Sequence, residues 1–365
     1  MKNSRRDFLR NLAASGVLVP LAAQNLMAYP VTTDRKLRVV LCGLGSYATN
    51  QLAPGLSQSK NCELVGIVTG SPEKAAKWKE KYNLADKNIY NYQNFETIAN
   101  NPDVDVVYVV LPNSMHAEYV MKTAKAGKHV ITEKPMSMDA KQAREMIAYC
   151  KSQKVILGVG YRLHYEPFTN EVMRLSRDKD FGKPKFIETK FAWRNRDLNA
   201  WRMTNKWSGG GALMDVGIYC INASRYATGE EPISVTAQAI KTEPEVYRDI
   251  EETILWQLKF PSGAIACGMS SYATNAHELS IHYEKGSLSM SPAYDYGPLK
   301  GTTSKGPMDF PIVHHQAYQM DGFADAILNN KPVLAPGEEG LKDMIIIDAI
   351  KKAEVTGKEV KIVMS

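Results

Sequence analysis

Three groups of residues in this chain have the types and spacing to do chemistry. Asp215 and Tyr219 stand four positions apart, a spacing that stacks two side chains on one face of a helix. A carboxylate and a phenol placed there could handle a proton together. Ahead of them runs Trp207-Ser208-Gly209-Gly210-Gly211, whose glycines allow backbone to come close to a ligand. The alternative is a flexible loop before an ordinary amphipathic helix, with Tyr219 a core aromatic. Lys134 lies in Glu133-Lys134-Pro135, directly after the apolar run 128–132, which places it at the carboxyl end of a strand with the local backbone fixed by proline. The third group is Gly43-Leu44-Gly45-Ser46-Tyr47-Ala48, of the form G-x-G-x-x-A. Its first glycine permits a tight turn, its second lets backbone approach a pyrophosphate, and Ala48 lets the following helix sit close on the strand. Alone, the pattern could be only a tight turn.

Elements of the right kind surround these groups. The apolar stretch 37–42 reads as a strand buried on both faces and runs into the glycine turn. A helix over 49–58 would aim its free N–H groups at the phosphates, and a second strand follows at 63–68. The tip of that strand should meet the adenosine ribose, where an NAD-selective chain usually carries Asp or Glu. Here it reads Thr69-Gly70-Ser71-Pro72-Glu73-Lys74, with hydroxyls at Thr69 and Ser71 and a cation at Lys74 suited to a 2′-phosphate. Ser71 also reads as the N-cap of a helix over 72–82 with Pro72 in its first position. The balance favours NADP over NAD.

The most apolar run, 104–111, suits a central parallel strand and ends in Pro112-Asn113-Ser114-Met115-His116. Ligands bind at the carboxyl ends of such strands, so Pro112, Asn113 and His116 should line the cofactor site, although His116 could equally be a helix N-terminal residue without chemistry. A helix over 140–151 and a strand over 155–160 close this unit, and Tyr161-Arg162-Leu163-His164-Tyr165 starts the crossing to the next. The texture then changes. Strands at 185–191, 233–241, 254–260, 264–269 and 279–283, with hairpin turns at 261–263 and 284–287, predict an antiparallel sheet with one covered face. Helices over 316–329 and 338–356 should pack back on one or both units. The expected architecture is α/β, a dinucleotide-binding domain over 36–160, followed by an α+β domain over 161–365 with a large, mostly antiparallel open sheet.

The chain has 365 residues, 44% hydrophobic and 23% charged, with a formal charge of +6. Half of that excess lies in the first 28 residues, where Lys2, Arg5, Arg6 and Arg10 face Asp7. No basic run with interleaved aromatics marks a nucleic-acid partner. Five cysteines without a C-x-x-C pair and scattered histidines show neither a disulfide framework nor metal spacing. Ser4-Arg5-Arg6-Asp7-Phe8-Leu9 is a twin-arginine pattern. A weakly apolar run over 12–23, too short for a membrane span, and small residues around Ala22, Ala23 and Ala28 follow it. Residues 1–28 therefore read as a signal for the twin-arginine export machinery and a periplasmic destination, the alternative being an amphipathic helix.

Together, the turn at 43–48, Pro112-Asn113 with His116, Glu133-Lys134-Pro135, Gly209-Gly210-Gly211 and Asp215-Val216-Gly217-Ile218-Tyr219 resemble the glucose–fructose oxidoreductase, inositol dehydrogenase and MocA family, from about residue 37 to the end. The resemblance implies a cofactor in the first domain with its nicotinamide facing the second domain's sheet, and Lys134 and Tyr219 flanking the reacting sugar carbon. Many relatives carry His where this chain has Tyr219. It also implies a homo-oligomer, dimer or tetramer, through the C-terminal sheet. Arm 24–35 is short and segment 161–205 diverges, leaving assembly and substrate open. The expected activity is NADP-dependent hydride transfer to or from a sugar. Tyr219 would be the base, although a phenol ordinarily titrates near about 10. Lys134 would hydrogen-bond the sugar oxygen, and Asp215 would bind another hydroxyl or orient its neighbours. Arg162, Tyr165 and Trp207 complete the expected substrate contacts. Gly43, Gly45, Ser46, Tyr47, Ala48, Thr69, Ser71, Lys74, Glu133 and Lys134, with the 112–116 loop, are the expected cofactor contacts. An exported chain would need to keep its cofactor bound while one sugar reduces it and another reoxidises it. The alternatives are an NAD-dependent glycoside hydrolase of the same fold and a non-catalytic nucleotide-binding protein.

Overall fold

The computed structural model describes residues 35–364; the leader at 1–28 and nearly all of arm 24–35 lie outside the described residues. The first sheet is built from short apolar strands whose side chains are buried on both faces, as a parallel sheet between helices requires. β1 (Leu37–Cys42) leads through the glycine turn into a wide turn, Ala48–Leu52, that opens α1 (Ala53–Gln58). Then come β2 (Cys62–Val68), α2 (Pro72–Tyr82), β3 (Ile89–Tyr90), β4 (Val106–Val109), α3 (Asn113–Lys125), β5 (His129–Thr132), α4 (Ala140–Ser152) and β6 (Leu157–Val159). The order β3-β2-β1-β4-β5-β6 is parallel throughout. This is the doubly wound arrangement in which ligands bind beyond the carboxyl ends of the central strands.

The second half opens with the turn Arg162–Tyr165 and α5 (Pro167–Asp178). β7 (Pro184–Ala192), α6 (Asn205–Ser208), a second wide turn at Leu213–Gly217 and α7 (Ile218–Thr228) follow. β8 (Ser234–Ile240), β9 (Thr253–Lys259), β10 (Ile265–Ser271), β11 (Ala276–Tyr283), β12 (Ser287–Met290), β13 (Gly301–Thr303) and β14 (Gly306–Pro307) form the bulk of a sheet. The chain closes with α8 (His315–Leu328), α9 (Gly337–Thr356) and β15 (Val360–Lys361). The sheet order is β14-β13-β12-β11-β7-β10-β9-β8-β15. It is mostly antiparallel, but β7 and β10 pair in parallel, so the hairpin β9–β10 is added to the far side of β7 rather than continuing a meander.

The two closing helices do pack back, and on different surfaces. Met320, Phe323 and Ala324 of α8 share a core with Val39, Leu41 and Leu52 of the first unit. Asp321 of α8 accepts hydrogen bonds from Ser59 Oγ at 2.5 Å and from Lys60 N and Asn61 N at 2.9 Å each. A Cβ on Gly158 would stand 2.7 Å from the Phe323 ring, so β6 and α8 pack without room for a methyl group. α9 lies on α4 and β8, tied by Ala140 N donating to Asp348 Oδ2 at 2.9 Å. The cysteines are free, four of them buried. Among the described residues no helix is long and apolar enough to cross a membrane.

Candidate active site

A cleft of about 810 Å³ runs from the glycine turn to the second sheet. At its first end Gly43 has φ +104°, and a Cβ there would collide with the Val110 carbonyl oxygen, so glycine is required. Gly45, Ser46 and Tyr47 face the cleft, and a Cβ on Gly45 would meet nothing within 4 Å. Ala48 is fully buried under the helix start, the packing role read from the motif. Thr69 and Lys74 lie on the same wall. Ser71 does not: its hydroxyl accepts from Lys74 N at 3.3 Å and caps α2. Lys74 Nζ donates to Leu44 O at 3.1 Å, which draws the ammonium over the glycine turn. Gly43–Tyr47, Asn50, Gln51, Thr69, Lys74 and Tyr92 line this end, and none of them is acidic.

Pro112, Asn113 and His116 line the middle of the cleft. The His116 ring is buried, with Nδ1 2.8 Å from Pro135 O and Nε2 2.8 Å from Leu111 O. Burial pushes this imidazole down to about 4, so it is neutral near pH 7 and braces two loops against each other. Asn113 Nδ2 donates to Ser208 O at 2.8 Å, joining the cofactor loop to the segment before the triple glycine. Glu133 is buried and accepts from Tyr108 Oη at 2.6 Å and from Lys134 N at 3.2 Å. Burial raises its carboxyl, against the pull of the Tyr108 hydrogen bond and Lys134.

At the far end Lys134, Asp215 and Tyr219 meet, as the sequence predicts, but they are wired differently. Lys134 Nζ donates to the backbone oxygen of Asp215 at 2.6 Å, stands 3.8 Å from its carboxylate and lies 4.6 Å from the centre of the Tyr219 ring. Asp215 is surrounded by donors: Tyr272 Oη at 3.0 Å, Trp193 Nε1 at 3.2 Å and, as an ion pair, Arg202 Nε at 3.2 Å. Burial works to raise this carboxyl, but Arg202, Lys134 and the Tyr272 hydroxyl hold it at about 2. So many donors make it an orienting anion for Lys134, Trp193 and Arg202 rather than a free hydroxyl ligand. Tyr219 packs edge-on against Phe191, with ring centres 5.3 Å apart, and lines the cleft.

The triple glycine does not cradle a ligand. Gly211 N donates to Glu251 Oε2 at 2.7 Å and Leu213 N to Glu251 Oε1 at 2.8 Å. A Cβ on Gly211 would collide with the Glu251 carbonyl oxygen. The glycines admit the chain's own carboxylate onto the start of a wide helical turn, and Lys351 Nζ binds Gly209 O at 2.6 Å from the other side.

Of the other expected substrate contacts, Arg162 reaches the cleft. Tyr165 is buried in the core and Trp207 is 40% exposed, and neither lines the cleft. Trp193, Trp201, Arg202 and Tyr296 line it instead. Sequence reasoning misses them because they lie in segments that join the strands and match no motif; the available signal for Trp193 and Trp201 is the density of aromatics after β7, and Tyr296 has none.

The cleft fits a nicotinamide dinucleotide. It has a collision-enforced glycine turn at a helix start, a polar wall without acids beside it, and the Lys134, Asp215 and Tyr219 cluster at the opposite end. Known proteins agree. Residues 37–161 match the oxidoreductase family NAD-binding Rossmann fold (GFO_IDH_MocA), and residues 169–289 match the GFO/IDH/MocA C-terminal domain. The chain is similar to the aldose-aldose oxidoreductase from Caulobacter crescentus, solved with glycerol. The identity is 36%, covering 90% of this chain and 100% of that one, with a TM-score of 0.87. It is 29% identical to D-xylose 1-dehydrogenase [NADP(+)] of Haloarcula marismortui over 90% of this chain and 94% of the relative. Levoglucosan dehydrogenase, solved with NADH and levoglucosan, shares the fold at 20% identity, covering 90% and 100% of the two chains, with a TM-score of 0.77. With both halves matched and the cofactor cleft formed as the motifs require, the chain belongs to the GFO/IDH/MocA family of NAD(P)-dependent oxidoreductases.

Proposed function

We propose that this protein is an NADP-dependent sugar oxidoreductase. The observation that carries the reading is the meeting of Lys134, Asp215 and Tyr219 at the end of the cleft away from the acid-free ribose wall. NADP held along Gly43–Tyr47, Thr69, Lys74 and the 112–116 loop would supply the hydride acceptor and, reduced, the donor. The chain's own residues move the proton. When an alcohol is oxidised, its O–H proton passes to the Tyr219 phenolate oxygen; in the reverse direction the Tyr219 phenol gives its proton to the oxygen of the new hydroxyl and is left as the phenolate. Lys134, fixed by Asp215 O, places a positive charge beside the phenol and offers remaining N–H donors to the sugar oxygen. Asp215, held anionic by Arg202 and Lys134 against its burial, locks Lys134 and Trp193 in place. Phe191 and Trp193 offer flat apolar walls to a sugar ring, and the names of the relatives above support an aldose as substrate.

The twin-arginine pattern at 4–9 supports export to the periplasm, where dinucleotides are scarce. A cofactor that stays bound, reduced by one sugar and reoxidised by another, answers that problem and gives ping-pong kinetics. The outer face of the long sheet, with Ile240 and Leu255 at 42% and 40% exposure, suits a homodimer or tetramer.

Replacing Tyr219 by Phe should lower sugar-dependent reduction of the bound nucleotide by about 10²- to 10⁴-fold, the usual share of acid–base catalysis. Unchanged turnover would remove Tyr219 from the mechanism. Steady-state kinetics with two sugars and no added nucleotide, after dialysis, should give parallel double-reciprocal lines. An absolute need for free NADP would point to an ordinary dehydrogenase, and nitrophenol release from nitrophenyl glycosides would point to hydrolysis. Mass spectrometry of the small molecules released on denaturation distinguishes NADP from NAD.

A further inference from the structure

Arg162 is an unusual cation. It is 2% exposed and stands at the crossing between the two halves. Its Nη1 donates to Asp295 O at 2.7 Å, its Nη2 to Tyr294 O at 2.5 Å, and Nη1 lies 2.8 Å from His315 Nδ1. Burial and Arg162 itself push the His315 imidazole down to about 3, so that ring is a neutral acceptor. The Arg162 Nε is buried with no partner. Every contact of this guanidinium is therefore to a neutral group.

Nearby carboxylates do not pair with it. Glu133 is engaged by Tyr108 and Lys134 N. Glu166 caps α5, accepting from Phe168 N at 3.0 Å and Thr169 N at 2.8 Å. The Asp295 carboxylate accepts from Tyr296 N, and only its backbone oxygen reaches Arg162. The Glu133 and Glu166 carboxylates feel its charge from a distance, but neither forms an ion pair with it, and a buried charge without a direct partner is costly, so an anion that forms during turnover beside it would be favoured here.

The groups on the guanidinium faces show where that anion forms. Its carbon lies 5.3 Å from the centre of the Tyr219 ring and 4.5 Å from that of Tyr296. Tyr296 in turn packs 5.8 Å from Tyr47. Lys134 approaches the same Tyr219 ring, at 4.6 Å, but Lys134 is shared with Asp215. Of the two cations beside Tyr219, Arg162 is the one that makes no direct ion pair, while Lys134 stands 3.8 Å from the Asp215 carboxylate.

We propose that Arg162 is a positioning residue for proton transfer: its buried guanidinium compensates the phenolate formed on Tyr219 Oη. This rests on the sugar-oxidoreductase reading, in which Tyr219 exchanges a proton with substrate. It is distinct from the expectation that Arg162 holds the sugar, and the experiment separates the two.

The experiment titrates the purified, nucleotide-loaded protein and follows the ultraviolet phenolate band. The difference between the chain and its Tyr219→Phe variant isolates Tyr219. The same difference taken in an Arg162→Met background should move to higher pH by about one unit or more, a tenfold change in the ionisation equilibrium, or vanish from the accessible range. An unmoved difference overturns the proposal. Where Arg162→Met does not fold, as judged by melting and nucleotide content, Arg162→Gln keeps an N–H donor for the carbonyls and carries the same expectation. In turnover, Arg162→Met should lose about tenfold near neutral pH, regain it as pH rises, leave KM nearly unchanged, and add little to Tyr219→Phe. A loss equal at every pH with a raised KM overturns the proposal and makes Arg162 a substrate ligand. If no sugar reduces the bound nucleotide of the unaltered chain, the functional reading fails, while the titration still decides the role of Arg162.

Discussion

Both glycine-rich segments of the chain run into a helix whose first turn is wide, Ala48–Leu52 after Gly43 and Gly45, and Leu213–Gly217 after Gly209–Gly211. In each, a glycine sits where a Cβ would strike a carbonyl oxygen, that of Val110 for Gly43 and that of Glu251 for Gly211. The two differ in what the helix start receives. The first turn faces the cleft and has an open position at Gly45. The second gives its N–H groups to the Glu251 carboxylate. A helix start attracts an anion in either case; whether that anion is a ligand or the chain's own side chain is decided by a residue far off in sequence. The first segment is a binding site. The second is a brace that fixes where Asp215 and Tyr219 point.

The sharpest way to break this contrast is to give the first turn its own carboxylate. Gly45→Asp adds a side chain into open space, so the fold should hold, while the added charge faces the pyrophosphate position. Nucleotide affinity should fall by about 100-fold or more, in line with the several kcal/mol cost of unpaired like charges at an interface. The check is nucleotide content after purification, with a melting curve to confirm the fold. Full nucleotide content would mean that the phosphates do not lie on this turn.

The reverse change empties the second turn. Glu251→Ala removes two charge-assisted hydrogen bonds and should cost about 2–3 kcal/mol of stability. Turnover should fall because the Leu213–Gly217 turn carries Asp215, yet nucleotide content should stay full. Loss of nucleotide in this variant would merge the two segments into one site.

How far each segment could be read beforehand follows from the same contrast. The glycine turn is legible because strand, turn and helix are contiguous, and so are Lys134 at a strand end and the Asp215–Tyr219 spacing. Glu251 was not legible as a partner: nothing local connects it to Gly211. The same holds for the Trp193, Arg202 and Tyr272 shell around Asp215, which is assembled from the residue after β7, the short turn Trp201–Met203 and the residue after β10. The strands of the second sheet could be read from their alternation and turns, but not the insertion of β7 between β10 and β11, because register between distant strands leaves no local trace. α8 was legible as a helix; that Met320 and Phe323 complete the first unit's core was not.

A pH prediction separates the segments further. The Asp215 carboxyl is held at about 2, below the value of about 3.9 for an unfolded aspartate. Its contribution is therefore present in full above about pH 4 and is lost as pH falls through about 2, amounting to about 2 kcal/mol at most after solvent screening. Melting temperatures of the chain and of Asp215→Asn, followed from neutral pH downward, should converge in acid. A constant gap would show that Asp215 is not anionic in the fold. The wall around the glycine turn has no carboxylate and contributes no such slope.

The smallest effects lie on the ribose wall, where two neighbours that look alike in sequence should part company. Ser71 caps α2 and is absent from the cleft lining, so Ser71→Ala should cost about 1 kcal/mol of stability and leave the choice between NADP and NAD unmoved. Lys74 is exposed, lines the cleft and reaches Leu44 O. Lys74→Ala should leave stability within about 0.5 kcal/mol and lower the preference for NADP by about tenfold, the worth of one charge-assisted contact to a phosphate. Competition of the two dinucleotides for protein stripped of its cofactor measures both. If Ser71→Ala shifts the preference as much as Lys74→Ala does, the capping hydroxyl touches the 2′-phosphate after all. The first turn's binding surface then extends past Lys74 to the very start of α2.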